Sequence, residues 1–288
     1  MKTFFFILFL GCNIYAQEIP VRWDELTASD WPLAMEKSNR TIILPVAVLE
    51  KHGQHSPMGT DLIRARQFAA RAAQKEYAVV FPDYYFGQVN EARHIQGTFS
   101  LPSDLTFELL EETVKEIARN GFNKIMIVNT HGGNPSMLRY FVQTQMEKDR
   151  DYAVFLFDPE TDEAHEKQVA AMRKTDPAGD QHGGEGETSV LLYLRPDLVK
   201  LDRAVTESGA NQERLPEIPD TYNGIWWYAA YPNHYAGKAE VATKELGELI
   251  VENKVNSIVR ALKAIKEDTA TLELQNQYFE AVKEPSEN

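Results

Sequence analysis

Three short stretches carry the residue types that do chemistry. The first runs Glu50-Lys51-His52-Gly53-Gln54-His55-Ser56-Pro57-Met58-Gly59-Thr60-Asp61. Glu50 and His52 stand two apart, so an irregular backbone is needed to turn both donors to one place, and Gly53, Pro57 and Gly59 supply it. Asp61 returns at the head of the next helical pattern. Two carboxylates and an imidazole converging on one loop suit a divalent transition metal, and a bridging Asp61 suits two. The plain alternative is a polar loop held by ordinary hydrogen bonds.

The second stretch, Ile125 to Asn134, ends an apolar run in Asn129-Thr130-His131-Gly132-Gly133. It sets an imidazole at the carboxyl edge of a sheet, where backbone approaches a ligand closely. With neither Gly-Lys-Ser/Thr nor Gly-x-Gly-x-x-Gly, a nucleotide cradle is disfavoured. In the third, Asp180-Gln181-His182-Gly183-Gly184-Glu185-Gly186-Glu187-Thr188-Ser189, a histidine again precedes glycines and acids open a helix. Glu185 and Glu187 could serve there only as first-turn acids. His55 is read as a supporting or structural group before a catalytic one. His94, His165 and His234 have no defensible partner spacing, and Trp226-Trp227-Tyr228 is read as packing or subunit contact ahead of a substrate wall.

The elements that must position these residues alternate between strand and helix. Thr41 to Leu49 is continuously apolar and β-branched, a strand buried on both faces that delivers Glu50 to its C-terminal end. Helical spacing follows over Asp61 to Lys75, with Thr60 as N-cap, then a short strand over Ala78 to Phe81. A helix over Thr106 to Asn120 stops at Gly121, and Lys124 to Asn129 is another buried strand. Asn134 to Glu147 is helical, Tyr152 to Phe157 a strand, Glu187 to Leu194 a helix, and Lys238 to Lys266 a long helix. Residues 204–236 form a long irregular excursion, and the chain frays after Pro285. This rhythm predicts an α/β fold with a largely parallel sheet, helices on both faces, and ligands beyond the strands' carboxyl ends.

Acidic residues number 43 against 30 Lys plus Arg, a formal charge of −13 that disfavours nucleic acid. Hydrophobic residues at 43% indicate a folded globular chain. Met1-Lys2 followed by an apolar run to Gly11 is the pattern of a signal peptide, too short for an ordinary membrane span, with cleavage expected after Ala16 or Gln17. The expectation is a signal peptide over 1–17, one domain over 18–288, and an exported, periplasmic or secreted protein. Leu10-Gly11-Cys12 resembles the end of a lipobox, so a lipid anchor at Cys12 is the alternative. Cys12 is the only cysteine, so the cleaved chain has no thiol and any metal site must use His and carboxylates.

The three stretches, in order, resemble the creatininase (creatinine amidohydrolase) family. They match its Leu-Pro-Val-x-x-x-Glu-x-His-Gly-x-His-x-Pro-x-Gly-Thr-Asp, its Asn-x-His-Gly-Gly-Asn and its His-x-Gly-x-x-Glu-Thr-Ser. Weaker matches run from Glu91 through Gly97-Thr98-Phe99-Ser100-Leu101 and over Ala239 to Gly247. The resemblance implies a three-layer α/β/α sandwich and a dinuclear amidohydrolase using two divalent ions (Zn, Mn or Fe). Glu50, Asp61 and His131 would hold one ion, His52, Asp61 and Glu187 the other, with Asp61 bridging and His182 as the catalytic histidine. Gly133 stands where many members carry a ligand Glu, and Glu187 is its substitute. Glu91, Gly132 and Gln181 are candidate substrate-binding residues. The creatinine-hydrolysing members' Trp and Glu before the catalytic His are missing from Asp176-Pro177-Ala178-Gly179-Asp180-Gln181, and Ala92 and Gln96 replace a common His and Pro. Creatinine as substrate therefore does not follow. The expectation is hydrolysis of a non-peptide or cyclic amide C–N bond in a small-molecule amide, by a homo-oligomer such as a hexamer. The alternative is an inactive exported protein that binds a small molecule on the same scaffold.

Overall fold

Four parallel strands, β1 (Thr41–Val46), β2 (Val79–Val80), β3 (Lys124–Asn129) and β4 (Ala153–Leu156), form a sheet in the order β2-β1-β3-β4 in the computed structural model. It describes residues 19–216 and 218–285, so the expected signal peptide and Cys12 lie outside the described residues. The register runs from Thr41 opposite Lys124 to Val46 opposite Asn129, and all six residues of β1 are buried. A proline in a central strand normally removes a ladder bond. Pro45 does not, because odd-numbered residues of β1 face β2: Ile43 O accepts from Phe81 and Ala47 N donates to Tyr84 O. The missing N–H falls in the gap between them, past the end of the two-residue β2.

Alternation along the strands feeds two cores. Ile43, Val80, Met126 and Val128 pack against α2 (Thr60–Lys75), α6 (Glu185–Leu194) and α8 (Lys244–Glu267) through Phe68, Ala72, Val190, Leu191, Val255 and Ile258. Ile42, Leu44, Ile125 and Ile127 pack on the other face with α3 (Ser103–Arg119) and α4 (Pro135–Thr144) through Leu110, Val114, Leu138 and Phe141. The expected α/β fold with helices on both faces of a parallel sheet is what forms.

The strand expected to reach Leu49 ends at Val46, because Ala47 leaves the ladder to pair with Tyr84. The helix expected from Thr106 starts at Ser103, directly after Pro102, whose fixed φ suits that boundary. The long helix expected from Lys238 starts at Lys244, where the Thr243 hydroxyl accepts the Leu246 N–H at 3.3 Å. Three helices escaped the pattern: α1 (Trp31–Lys37), α5 (Glu163–Met172) and α9 (Ala270–Lys283). Each buries a single residue, Ala34, Val169 or Phe279, too little to make an apolar stripe. The excursion is irregular apart from short elements that include α7 (Trp226–Ala230). No described helix is long and apolar enough to cross a membrane.

One close approach sets the position of α6. A Cβ on Gly247 of α8 would lie 1.9 Å from the Ser189 carbonyl oxygen. Gly247→Ala is expected to cost about 2–3 kcal/mol through this overpacking, read as a lower urea midpoint with an unchanged m-value.

Candidate metal centre

β1 and β3 end side by side, and the loops that follow them carry Glu50 with His52, and His131. The first turn of α2 brings Asp61, and the turn before α6 brings His182 and Glu187. Two asparagines rivet the His131 loop: Asn134 Nδ2 donates to Asn129 Oδ1 at 3.0 Å, and Asn129 Nδ2 donates to the His131 carbonyl at 2.8 Å. Gly183 has φ +67°, and a Cβ there would lie 2.9 Å from the His52 carbonyl carbon, so only glycine lets the His182 turn close over His52. His55 accounts for the other side of that turn, its Nε2 bonding the Gly183 carbonyl at 3.0 Å and the Thr188 hydroxyl at 2.9 Å. Burial holds its pKa below the ordinary value, in keeping with a structural role.

The predicted ligands come together, Glu50, Asp61 and His131 in one group and His52, His182 and Glu187 in another, with Asp61 also within reach of His52. His131 Nδ1 lies 2.7 Å from Glu50 Oε1 and 3.2 Å from Asp61 Oδ2. His52 Nε2 lies 3.3 Å from Asp61 Oδ1 and 3.6 Å from Glu187 Oε2, and His182 Nδ1 is 4.0 Å from the same Glu187 oxygen. In each histidine the opposite nitrogen is tied to a main-chain carbonyl: His131 Nε2 to Gln88 at 2.8 Å, His52 Nδ1 to Glu50 at 3.3 Å, His182 Nε2 to Lys51 at 2.8 Å. A carbonyl only accepts, so those nitrogens carry the proton of the neutral ring and the others turn a lone pair into the site. A lone pair facing a carboxylate oxygen at 2.7 Å is repulsive unless a cation lies between them. Glu50 Oε1 and His52 Nε2 are buried with no hydrogen-bond partner among the described residues, which fits them as donors to a metal ion.

Without a metal, protons fill that role. Burial opposes charge on His52, but Asp61, Glu187 and Glu50 outweigh it and raise its pKa to about 9. His131 is likewise raised against burial, by Glu50 and Asp61, and burial of Glu50 is outweighed by His131 and His182, which hold it well below the usual range. Glu187 falls to about 2 against burial, chiefly through Arg64. His182 goes the other way: burial and the charge of His52 push it down to about 4, a neutral imidazole at neutral pH.

Two residues of the site gave no signal in the sequence. His234 lies in the excursion, 184 positions from Glu50, yet its Nε2 reaches Glu50 Oε2 at 2.6 Å. Trp227 Nε1 donates to His234 Nδ1 at 2.8 Å. An indole N–H is only a donor, so the His234 proton sits on Nε2 and points at Glu50. The second is Arg64, one helical turn after Asp61, which donates to Asp61 Oδ1 at 3.1 Å and to Glu187 Oε1. An arginine three residues after an aspartate near a helix start is ordinary, so nothing in the sequence marks it.

The groups open into a cavity of 870 Å³ lined by Glu50, His131, His182 and His234 at the metal end. Glu91, Gly132 and Gln181, the candidate substrate-binding residues, also line it. So do Trp226, Trp227 and Tyr228, which places them at the wall of the cavity, the reading ranked behind packing or subunit contact. Arg214 fixes this wall, stacking 4.8 Å from the Tyr228 ring centre and donating to the Ala229 carbonyl at 2.9 Å. A Cβ on Gly133 would fall 2.5 Å from His131 Nε2, so this position has no room for a side chain.

Residues 24–262 match the family model described as Creatininase: Creatinine amidohydrolase. The creatinine amidohydrolase of Pseudomonas putida is 27% identical over 269 residues, covering 83% of this chain and 95% of that protein. The mycofactocin precursor peptide peptidase of Mycolicibacterium smegmatis is 28% identical over 235 residues, covering 79% and 86%. Among solved structures, a zinc–zinc form of a mutant creatininase superposes with a TM-score of 0.72 at 25% identity, over 87% of this chain and 100% of the other. A manganese creatininase gives 0.70 at 25% identity over the same shares.

Two measurements probe the centre. Because His52 is protonated below about pH 9 in the metal-free protein, an ion must displace that proton. Zinc affinity, from chelator competition, is expected to rise from pH 6 to pH 9 by about tenfold per unit for each proton released. His234→Ala, which removes the donor that aims Glu50, is expected to weaken zinc binding about 10- to 100-fold while the fold, by circular dichroism, is kept.

Proposed function

This chain belongs to the creatininase family of amidohydrolases, and from that membership we propose that it hydrolyses an amide C–N bond at a dinuclear metal centre, with an extended, peptide-like amide taking the place of the non-peptide or cyclic amide expected from the sequence. One observation carries the reading: three imidazoles with main-chain-anchored nitrogens turn their lone pairs toward three carboxylates at the strand ends. His and carboxylate donors suit zinc, manganese or iron.

Glu50, Asp61 and His131 would hold one ion, and His52, Asp61 and Glu187 the other. Ions held there would lower the pKa of a water and polarise the amide carbonyl. The water oxygen bonds to the acyl carbon, the C–N bond breaks, and the nitrogen leaves with a proton that the water gave up. His182 is the group to move that proton. Its Nδ1 faces the site and the Lys51 carbonyl holds the proton of the neutral ring on Nε2, so the nitrogen turned to the site carries a lone pair able to accept. A Cβ added at Gly132 would meet nothing within 4 Å, so main chain faces the substrate there without obstruction.

The substrate reading rests on size and on kin. A cavity of 870 Å³ accepts a ligand far larger than creatinine. Trp226 and Trp227 offer it an apolar wall, and Arg93, exposed on the same lining, offers a positive charge to an acidic group. Relatives of this chain include a peptide peptidase as well as a creatinine amidohydrolase. Export through the 1–17 segment, with a lipid anchor at Cys12 as the alternative, belongs to the same proposal. So does self-assembly, for which Leu274, Tyr278 and Val282 form an exposed apolar stripe on α9.

Metal-stripped protein is expected to lose turnover of N-acyl aromatic amino acids and short peptides, and zinc or manganese to restore it, with creatinine a poor substrate throughout. His182→Ala is expected to lower kcat about 10²- to 10⁴-fold with bound metal unchanged by elemental analysis. Metal bound but no amide turned over would move the protein to the class of exported small-molecule binders.

A further inference from the structure

The carboxylates that line the cavity, Glu50 and Glu91, differ in what they face. The Glu50 oxygens meet His131 at 2.7 Å and His234 at 2.6 Å. Glu91 is partly buried in the same wall, and among the described residues no cation or hydrogen-bond donor meets its carboxylate. Its backbone is fixed in place. Glu91 lies in the single turn Asn90–Ala92, where Gln88 Oε1 accepts the Asn90 N–H at 2.7 Å and Ala92 is buried with Val48 and Val89. From the His131 loop, Asn134 Oδ1 takes the Gln88 N–H at 2.8 Å, so this segment and the loop that carries His131 are pinned to one another.

The pinning builds a corner of acceptors beside His131. A Cβ on Gly133 would lie 2.9 Å from the Gln88 carbonyl oxygen and 3.0 Å from Glu91 Oε1, so two oxygens converge where this chain has no side chain to fill the space. The Gln88 oxygen already accepts from His131 Nε2, which leaves it one lone pair, and Glu91 keeps both of its oxygens. The opposite edge of the His131 ring faces Glu50 and Asp61. The corner therefore stands one imidazole ring away from those carboxylates. A carboxylate drawn partly out of water without a donor is costly to hold, and a cationic N–H group on a ligand removes that cost. In a peptide the cationic nitrogen nearest a scissile carbonyl is the N-terminal ammonium, carried on the adjacent carbon, and its three N–H donors suit these acceptors.

We propose that Glu91 anchors the free N-terminal ammonium of the substrate, with the Gln88 carbonyl as second acceptor, so that the bond cut is the first amide of an unblocked peptide. This rests on the hydrolase reading above and narrows its substrates to α-amino amides, with N-acyl amino acids the poorer class. Arg93, exposed on the same lining, has the sign that suits the carboxylate at the other end of a short peptide. A charge-assisted hydrogen bond of this kind is worth about 10- to 100-fold in binding.

The test compares L-phenylalanine p-nitroanilide with its N-acetyl derivative on the metal-loaded full chain. The free amine is expected to give a kcat/KM about 10- to 100-fold higher. Glu91→Gln is expected to close that gap through KM, with bound metal by elemental analysis as in the wild type, and Glu91→Asp, which keeps the charge, to retain part of it. An N-acetyl derivative cut as fast as the free amine, or a gap that Glu91→Gln leaves intact, overturns the inference and leaves the hydrolase reading standing. No turnover of either compound overturns the hydrolase reading, and calorimetry with L-phenylalaninol and its desamino analogue then decides the anchor: equal affinities overturn it, and tighter binding of the amine that Glu91→Gln abolishes supports it. If Glu91→Gln fails to fold by circular dichroism, Glu91→Ser takes its place, and the wild-type comparison decides the preference on its own.

Discussion

A neutral imidazole whose proton is held elsewhere cannot rest 2.7 Å from a carboxylate without a cation between them, and the His131–Glu50 pair is built in that way. The Gln88 carbonyl holds the His131 proton at the far nitrogen, so the fold itself creates the demand for positive charge. Everything around the pair serves that demand. β1 and β3 stop in register so that two loops deliver the partners side by side. Lys51, Glu50 and Gln88 spend main-chain carbonyls on histidine protons instead of on sheet ladders. Such a cluster is costly to assemble from groups that prefer water. Its survival in a buried position therefore has a reason in chemistry and none in stability.

The sequence made the scaffold legible where burial on both faces left a continuous apolar run. β3 is found over the same residues, Lys124–Asn129, that the pattern marks. α2 and α6 agree to within two residues for the same reason. Where a helix covers the sheet with one buried residue, as α9 does with Phe279, periodicity has nothing to register. The loop residues Glu50, His52, Asp61, His131, His182 and Glu187 were marked as candidates because they sit in glycine-punctuated loops at strand ends, and their separate roles came only from the resemblance to the family.

His234 and Arg64 were not legible, and for different reasons. His234 sits in an irregular segment whose path no local pattern dictates, and only the folded chain brings it across 184 positions to Glu50. Arg64 occupies a helical position where arginine is ordinary, and its role comes from which carboxylates the second element, α6, presents to it. The aromatic triplet in the excursion shows the same limit. Composition distinguishes a Trp that packs from one that lines a cavity only after the neighbouring wall, here residues 88–94, is in place.

The hydrogen bonds from Trp227 through His234 to Glu50 join the aromatic wall of the cavity to the carboxylates and imidazoles at its floor. In many enzymes the parts that choose a substrate and the parts that perform the reaction lie on separate loops, and lineages diversify by exchanging the first while inheriting the second. Here that exchange is constrained. A descendant that rebuilt residues 204–236 to admit a new molecule would also discard the imidazole that aims a ligand, so selectivity and reactivity in this branch must evolve as one heritable unit.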